Sequence, residues 1–149
     1  MGSSFQIRAL VPDDRPAWDR LWHAYLAFYN TALPGEIYDL TFARYTDPGR
    51  EDMRGWMAWE GTAALGLVHV IAHTHGWRAE PVSYLQDLFT VPEARGKGVA
   101  RALIETVYAD ADDAGRPSVY WLTQAGNTTA RKLYDRLGLK TDFIKYARA

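Results

Sequence analysis

The sequence predicts a single α/β or α+β domain with a mixed, mostly antiparallel sheet flanked by helices. Segments in which apolar residues alternate with polar ones are interleaved with segments in which apolar residues recur at helical spacing. Their order is strand, helix, helix, three strands, helix, strand, helix, strand. The early strands are joined by short turns and the later ones by helices, which requires antiparallel and parallel pairs in one sheet. A length of 149 residues suits one domain with a core of its own.

Composition excludes several classes of function. Hydrophobic residues make up 48% and charged residues 23%, which are values typical of a folded globular chain. The net charge of -1 indicates no general affinity for nucleic acid, and no apolar stretch approaches the length of a membrane helix. There is no cysteine, which excludes disulfides, thiolate metal ligands and a cysteine nucleophile. We therefore expect a soluble cytoplasmic protein whose partners include neither nucleic acid nor a membrane.

The chain begins with a predicted strand and two helices. The alternating segment FQIRAL predicts a strand over residues 5–10. The segment PDDR offers an acidic helix cap, and Pro16 suits a first helical turn. Aromatic and leucine residues at helical spacing then predict a helix over residues 14–29. After the break at ALPGE, a shorter helix is expected over residues 36–45.

The middle of the chain predicts three strands. Residues 55–75 contain two apolar segments separated by Glu-Gly-Thr at 60–62, a sequence typical of a hairpin turn, and a third strand is expected over residues 82–91. His73 and His75 share one face of the second strand in this interpretation. No nearby carboxylate completes a metal-binding set with them, so no metal is expected.

The last part of the chain alternates helices and strands. A stripe of apolar residues predicts a helix over residues 97–114, which ends at Gly115 followed by Arg-Pro. SVYWLT predicts a strand over residues 118–123, and TTARKLYDRLG predicts a helix over residues 128–138 that ends at a glycine. TDFIKYAR predicts a closing strand over residues 141–148.

A basic, glycine-rich turn, RGKGVAR, lies between the third of these strands and the central helix. Backbone amides at a helix start have no intrahelical partner and the helix dipole adds positive charge there, which favours an anion. Gly96 and Gly98 let the backbone approach a ligand closely. The turn also carries three cations: Arg95, Lys97 and Arg101. Their charge exceeds what a helix cap needs and fits a ligand with two or more phosphates.

The order of these residues narrows the choice of phosphate ligand. No string matches the Walker loop, and the dinucleotide fingerprint G-x-G-x-x-G fails because Arg101 stands where its third glycine would be. The turn does match R-x-x-G-x-A through Arg95, Gly98 and Ala100, placed after a strand and before a helix. From the residues alone, a protein that binds some other nucleotide stays an alternative.

The segment YLQDLFTVPEARGKGVARALI resembles the acyl-CoA-binding strand, loop and helix of the GNAT family of N-acetyltransferases, and the likeness covers nearly the whole chain. SVYWLTQAGNTTARKLYDRLG is similar to the strand and helix that follow in that family. The matching positions there are Asn127, Ala130, Leu133, Tyr134 and Gly138. GRPSVYWLT and HTHGW resemble the fungal histone and polyamine acetyltransferase subgroup, and YLQDLF resembles the spermidine-type enzymes. The resemblance implies a GNAT fold over residues 1–149, with a splayed pair of parallel strands where acyl-CoA binds.

The resemblance also implies acetyl-CoA as cosubstrate and the residues that hold it. Backbone groups of the strand before the basic turn would pair with the pantetheine arm and stabilise an oxyanion, and the turn would bind the pyrophosphate. The implied cofactor-binding residues are Leu88, Phe89, Thr90, Val91, Arg95, Gly96, Lys97, Gly98, Val99, Ala100, Arg101, Asn127 and Ala130. Tyr134 is the implied acid for the departing thiolate, and it stands about two helical turns beyond Asn127.

A proton must also be removed from the amine, and the sequence offers few candidates for the base. Spermidine-type enzymes usually carry glutamate where this chain has Gln86, which cannot usefully accept a proton. Asp87 is adjacent, but strand alternation places it on the opposite face from Gln86, so a structural hydrogen-bonding role stays an alternative. We expect a water relay, and we keep Asp87 as a candidate catalytic residue.

Two further groups of residues have open interpretations. Acidic residues around the second helix could attract a cationic acceptor or form a solvated surface: Glu36, Asp39, Glu51 and Asp52. Three tryptophans could form a wall of the acceptor cleft or fill the core: Trp56, Trp59 and Trp77.

The sequence therefore predicts an acetyl-CoA-dependent N-acetyltransferase acting on a primary amine by direct transfer in a ternary complex, since no covalent nucleophile set is evident. The acceptor could be a polyamine, an amino acid, another small amine, or a protein lysine or N-terminus. A non-catalytic acyl-CoA-binding regulatory module is the alternative. Resemblance to the fungal subgroup also implies a homodimer built partly through the C-terminal strand.

Overall fold

A mixed five-stranded sheet organises residues 4–149, the part of the chain that the computed structural model describes. Its strands are β1 (Gln6–Ala9), β2 (Met53–Glu60), β3 (Ala63–His73), β4 (Val82–Thr90) and β5 (Val119–Tyr120), and they lie side by side in that order. The first three neighbouring pairs are antiparallel, whereas β4 and β5 are parallel. The predicted mixed, mostly antiparallel sheet is therefore confirmed.

Four helices accompany the sheet within the described residues: α1 (Arg15–Phe28), α2 (Gly35–Thr46), α3 (Val99–Asp113) and α4 (Thr128–Leu137). A single 3-10 turn over Pro12–Asp14 precedes α1, and Pro16 lies in the first turn of α1 as expected. The Asp14 carboxylate accepts a hydrogen bond from the Val11 amide at 3.0 Å and makes no cap bond to α1, so it closes the 3-10 turn instead. None of these helices is long and apolar enough to cross a membrane.

The helices cover the two faces of the sheet and define two packed clusters. Helices α1 and α2 lie on one face, where an aromatic core joins them to β2, β3 and β4 through Trp18, Trp22, Phe42, Tyr45, Met57, Leu67 and Phe89. Helix α3 lies on the other face, where an aliphatic core joins it to the strands through Val68, Val70, Leu85, Val99, Leu103, Ile104 and Val107. Strand β4 contributes Phe89 to one core and Leu85 to the other although these residues are four positions apart, because an extra residue between Leu85 and Asp87 shifts the alternation of its side chains.

The parallel contact between β4 and β5 is short. Paired residues are limited to Ser83 with Val119 and Tyr84 with Tyr120, although residues 118–123 were predicted to form a longer strand. An extra residue in β4 breaks the register with β3 in this region, since His69 lies opposite Asp87 while Val70 lies opposite Leu85. The chain after Tyr120 therefore diverges from β4 and opens the sheet.

The predicted closing strand over residues 141–148 is wrong for the single chain. Those residues form no strand, and β5 is the last strand of the sheet on that side of the described chain. The segment nevertheless exposes large apolar side chains: Phe143 is 89%, Ile144 76% and Tyr146 87% accessible. A strand persists only where its backbone groups find partners, and this segment finds none among residues 4–149.

Gly66 of β3 is a position of close approach between the sheet and α3. A Cβ atom there would lie 2.7 Å from the Phe89 carbonyl oxygen of β4 and 3.0 Å from Cγ1 of Val99. The first atom belongs to a backbone, which cannot move without disturbing the strand. A side chain at this position therefore strains the contact between β4 and the start of α3.

We predict that Gly66→Ala lowers the free energy of unfolding by about 1–3 kcal/mol, the usual cost of inserting an atom into a packed site. Urea unfolding followed by circular dichroism measures the change. Gly76→Ala is the matched control, because a Cβ atom at Gly76 has no atom within 4 Å. Equal stability of Gly66→Ala and the wild type would contradict the close approach.

Candidate active site

A cleft opens where β4 and β5 separate. Tyr25 of α1 and Tyr29, just after the end of α1, line it from one face of the sheet, and Tyr134 of α4 lines it from the other. Strand β4 contributes Gln86 and Leu88 to its wall. The remaining wall is formed by the chain just after β5: Trp121, Leu122 and Thr123. The cleft thus passes through the opened sheet and can be reached by side chains from both of its faces.

Tyr134 stands at this cleft, as its predicted role requires. Its ring packs edge-on against Trp121, with 5.6 Å between ring centroids and 68° between ring planes. Burial raises the pKa of the Tyr134 hydroxyl, and the nearby Tyr29 raises it further. The hydroxyl therefore holds its proton at neutral pH and can donate it to an anion that forms in the cleft.

Helix α4 is positioned by contacts at its two ends. Asn127 precedes its first residue, and its amide donates a hydrogen bond of 3.4 Å to the Thr123 hydroxyl at the cleft wall. Ala130 lies in the first turn. At the other end, a Cβ atom on Gly138 would come within 3.0 Å of the Trp121 ring, so glycine allows the helix end to pack there. These contacts set the distance of Tyr134 from β4.

The predicted coenzyme-binding strand runs along the cleft. Leu88 lines it, while Phe89 points into the aromatic core, which confirms the alternation expected from the sequence. The Val91 amide donates to the Leu65 carbonyl at 2.9 Å, so that amide is already paired and does not serve a ligand. The Thr90 hydroxyl is buried and has no hydrogen-bond partner among the described residues. A polar ligand group passing the end of β4 would satisfy it.

The basic turn between β4 and α3 has the geometry of an anion site. Gly96 and Gly98 adopt φ angles of +83° and +81°, and no atom lies within 4 Å of where their Cβ atoms would be. Helix α3 begins at Val99, with Gly98 as its cap residue and no side chain capping its free amides. The predicted start at residue 97 is therefore two residues too early.

The cations of this turn are exposed to solvent. Arg101 pairs with Glu105 at 3.1 Å on α3, and Lys97 lies 3.9 Å from Glu60 of the β2–β3 hairpin. Surface pairs of this kind are weak and exchange readily for a stronger anion. Arg95 is exposed beside them. The open glycine backbone, the uncapped helix start and Arg95, Lys97 and Arg101 together fit the pyrophosphate of coenzyme A.

Asp87 lies behind the cleft and not on its surface. Its side chain is buried, and a carboxylate oxygen lies 2.9 Å from Nδ1 of His69 on β3. The pair faces α1 and α2, on the opposite side of β4 from Leu88. Gln86, the preceding residue, is exposed and lines the cleft.

The two histidines considered as metal ligands do not share a strand face. Strand β3 ends at His73, and His75 lies in the following loop. His73 Nε2 is 2.7 Å from the Tyr120 hydroxyl, and His75 Nδ1 accepts a hydrogen bond from the Trp77 amide. Within residues 4–149, no group of three or more histidine, aspartate or glutamate side chains could hold a metal ion.

The acidic residues around α2 do not converge on the cleft. Asp39 is bound by Arg15 at 2.6 Å, and Asp52 forms a two-pronged pair with Arg50. Glu36 and Glu51 are exposed. These pairs neutralise the charge that could have attracted a cationic acceptor, so the acidic residues form an ordinary solvated surface.

The three tryptophans considered for the cleft wall also lie elsewhere. Trp59 belongs to the aromatic core and Trp56 packs on the aliphatic side, while Trp77 is 90% exposed in the β3–β4 loop. The aromatic residues that do line the cleft are Tyr25, Tyr29, Trp121 and Tyr134. Sequence analysis placed Tyr25 and Tyr29 only on the apolar stripe of a helix. A buried tyrosine needs a polar partner for its hydroxyl, whereas an aliphatic core residue needs none. The tyrosines of the stripe were therefore a sign that this face of the helix reaches a polar site.

Comparison with known proteins agrees with this architecture. The profile of the acetyltransferase (GNAT) family matches residues 18–139. The D-amino-acid N-acetyltransferase HPA3 of Saccharomyces cerevisiae is 40% identical over 144 residues, which cover 95% of this chain and 89% of that protein. The GNAT profile alone spans most of the chain, so the relationship covers the fold and the cleft together.

Solved structures share the fold at lower sequence identity. The aminoglycoside N-acetyltransferase AAC(6')-Iy, in complex with a bisubstrate analog built on CoA, superposes with a TM-score of 0.85 at 20% identity and 99% coverage of both chains. A ribosomal-protein-alanine N-acetyltransferase from Brucella melitensis superposes with a TM-score of 0.80 at 17% identity, covering 97% of this chain and 98% of that chain.

The fold, with its sheet opened between a parallel strand pair, is shared with the aminoglycoside N-acetyltransferase AAC(6')-Iy, which was solved in complex with CoA and with a bisubstrate analog built on CoA. The chain belongs to the acetyltransferase (GNAT) family and is an acyltransferase. The matched profile is that of an acetyltransferase family and the yeast relative is an N-acetyltransferase. Neither supports the alternative of a non-catalytic acyl-CoA-binding module.

Proposed function

We propose that residues 1–149 form a single N-acetyltransferase domain that moves an acetyl group from acetyl-CoA to the amino group of a free amino acid. The observation that carries the proposal is the cleft between β4 and β5, which holds Tyr134 on one side and leads to the basic turn at residues 95–101. Use of acetyl-CoA also fits a cytoplasmic location.

The chain offers a continuous path for the coenzyme. Gly96, Gly98 and the first-turn amides of α3 would bind the pyrophosphate, with Arg95, Lys97 and Arg101 adding charge. The pantetheine arm would run along β4 past the unpaired Thr90 hydroxyl toward Leu88. Asn127 and Ala130 would hold the other side at the start of α4. Acetyl-CoA supplies the thioester that the acceptor amine attacks.

Different residues around the cleft would stabilise the oxyanion, protonate the leaving sulfur and remove the proton of the amine. Backbone amides of β4 near Leu88 would bind the carbonyl oxygen as it gains negative charge. Tyr134, which keeps its proton at neutral pH, would donate it to the sulfur that leaves. Asp87 takes part from behind the cleft wall through its hydrogen bonds, since its carboxylate is buried against His69. A water relay carries away the proton that the amine must lose.

Two observations favour an amino acid as acceptor. The yeast relative, which is 40% identical over nearly the whole chain, acts on D-amino acids. The cleft wall presents Gln86 where the spermidine-type enzymes that this chain resembles usually carry glutamate, and Asp39 of α2 is paired with Arg15 on the surface, so little negative charge is offered to a polyamine. We therefore place D-amino acids first among the candidate acceptors.

Release of free thiol from acetyl-CoA tests the proposal across a panel of D-amino acids, their L-enantiomers and spermidine. We expect turnover with at least some D-amino acids at a higher kcat/KM than with spermidine. Binding of coenzyme A without turnover on any amine would overturn the transferase function. Turnover with spermidine alone would overturn the choice of acceptor and leave the transferase standing.

The acid role of Tyr134 predicts a loss of turnover in Tyr134→Phe. We expect kcat to fall about tenfold to a thousandfold, because one positioned proton donor is lost, while the Kd of coenzyme A stays within about twofold. Steady-state kinetics and calorimetry measure the two quantities. The matched control is Tyr108→Phe, which removes a half-buried hydroxyl that donates to the Leu137 carbonyl at 2.7 Å. An unchanged kcat in Tyr134→Phe would exclude this tyrosine as the acid.

The exposed C-terminal segment supports a homodimer. Leu139, Phe143, Ile144 and Tyr146 expose large apolar surfaces in the single chain, and β5 has an unpaired outer edge in the described part of the chain. An apolar segment and an open sheet edge are each unfavourable in water, and a second copy can cover both at once. We propose that residues 141–148 pair with a second copy, as the resemblance to the fungal subgroup implies.

Replacing Phe143 and Ile144 with aspartate should convert the dimer to a monomer, because the charges would have to be buried in the contact. Light scattering during size-exclusion chromatography gives the mass, which we expect to be twice the 16.9 kDa of one chain for the wild type. Leu40→Asp, at an exposed apolar residue of α2, is the control and should stay dimeric. A wild type that is monomeric at tens of micromolar would rule out this assembly.

A further inference from the structure

A chain of buried polar groups runs from the core to the wall of the cleft. The indole N–H of Trp18 donates to Nε2 of His69 at 3.0 Å, and Nδ1 of His69 lies 2.9 Å from the Asp87 carboxylate. Trp18 and His69 are fully buried, and Asp87 is 6% accessible. The ring of Tyr45 stacks on His69 with 4.0 Å between centroids and holds the imidazole plane in place. Three polar side chains in an aromatic core are costly unless all of them are paired, as they are here.

The indole of Trp18 fixes the direction of every hydrogen bond in this series of buried polar groups. An indole nitrogen can only donate, so Nε2 of His69 must be the acceptor and carries no proton. The proton of the imidazole is then on Nδ1, where it is donated to Asp87. His69 is therefore a neutral donor to the carboxylate, and one side of Asp87 is occupied by it.

Tyr25 lines the cleft, and its hydroxyl is close enough to the same carboxylate for Asp87 to shift its pKa. Burial raises the pKa of Tyr25, and both the charge of Asp87 and hydrogen bonding to it raise that pKa further. A carboxylate only accepts hydrogen bonds, so the Tyr25 hydrogen is turned toward Asp87. The two lone pairs of the hydroxyl oxygen are then free to face the cleft, which the Tyr25 side chain lines.

We propose that Tyr25 binds the acceptor nitrogen through its hydroxyl oxygen, and that Trp18, His69 and Asp87 are positioning residues that keep the lone pairs of that oxygen turned toward the cleft. The inference rests on the proposed acetyl transfer and adds the residue that recognises the amine. Its basis is the polarity of the hydrogen-bond chain, which begins at a side chain that can only donate and leaves a hydrogen-bond acceptor at the cleft.

Such an acceptor would serve both binding and attack. An amine carries N–H groups that a lone pair can hold, whereas an alcohol of the same shape offers a single hydrogen and a thioether offers none. Holding one N–H at Tyr25 also turns the nitrogen so that its own lone pair can face a carbonyl carbon elsewhere in the cleft. Tyr25 approaches from the face of α1 and Tyr134 from the face of α4, so the amine and the leaving sulfur would have separate partners.

Tyr25→Phe tests the binding role directly, because it removes one oxygen and keeps the ring. We expect the KM for the amino acid to rise, and kcat/KM for it to fall, about tenfold to a hundredfold, while the KM for acetyl-CoA stays within about twofold. The matched control is Tyr38→Phe, whose hydroxyl is 3.4 Å from the exposed His23 and whose ring also packs edge-on against Trp18. An amino acid KM that is unchanged in Tyr25→Phe would overturn the inference.

Asp87→Asn tests the positioning chain without changing its shape. The His69 N–H would occupy the amide oxygen, so the amide NH2 would face Tyr25 and turn its hydrogen toward the cleft, reversing the polarity there. We expect the same rise in amino acid KM as in Tyr25→Phe, and no additional rise in the double variant, since the two residues act as one unit. If the rises in amino acid KM of the two single variants multiply in the double variant, the two residues act independently, which would contradict the proposed positioning role of Asp87.

The outcomes separate this inference from the proposed function. A wild type without amine-dependent thiol release removes the function and the inference together. An active wild type whose amino acid KM survives Tyr25→Phe removes the inference alone. A thermal-shift titration with coenzyme A shows that each variant is folded, and Tyr25→Phe decides the question if Asp87→Asn does not fold.

Discussion

The separation of β4 from β5 after two residue pairs is the constraint on which the active site depends. A parallel strand pair that stops short leaves backbone groups of β4 without partners along one edge, and buried backbone groups are rarely left unpaired. The extra residue at Gln86 contributes to the opening because it breaks the register of β4 against β3. The amide-bearing arm of a coenzyme can take the place of the missing strand. In the proposed function, fold and cosubstrate are therefore linked through backbone hydrogen bonding more than through particular side chains.

The two layers on either side of the sheet differ in chemistry. The layer formed by α3 and α4 has an aliphatic core and carries Tyr134. The basic turn lies in this layer, at the start of α3. The α1 and α2 side is aromatic and contains the buried chain from Trp18 to Asp87. Direct transfer requires the leaving thiol and the incoming amine to be handled at the same time by different groups. A cleft that passes through an opened sheet allows this, since each layer can present its own tyrosine to the reacting atoms.

Local sequence predicted the elements that depend on local contacts. The hairpin turn at Gly61, the end of α3 at Gly115 and the basic turn before α3 all rest on glycine conformation and helix-end chemistry, which a few adjacent residues determine; Gly61 and Gly115 indeed adopt positive φ angles of 60° and 72°. The closing strand over residues 141–148 could not be placed in the same way, because a strand requires a partner and the part of the chain that the structure describes offers none. Its apolar alternation was visible, but not the surface that would pair with it.

The candidate site was predictable only on the coenzyme side. The turn from Arg95 to Arg101 carries its chemistry in consecutive residues, so spacing alone reveals it. The amine side is built from residues far apart in sequence, since His69 and Asp87 meet only through the register of β3 with β4. Tyr25 resembles a core residue in a helical stripe, and its hydroxyl is influenced by Asp87 only because the fold brings the two side chains together. Long-range register is the information that a single sequence lacks.

Hydrogen exchange with and without coenzyme A tests most directly whether the opened edge of β4 is where the coenzyme pairs. We expect saturating coenzyme A to slow amide exchange in peptides that span residues 84–91 and 95–101, and to leave the β2–β3 hairpin around Gly61 unchanged. Exchange in residues 84–91 that does not respond to bound coenzyme would contradict the claim that this backbone edge receives it.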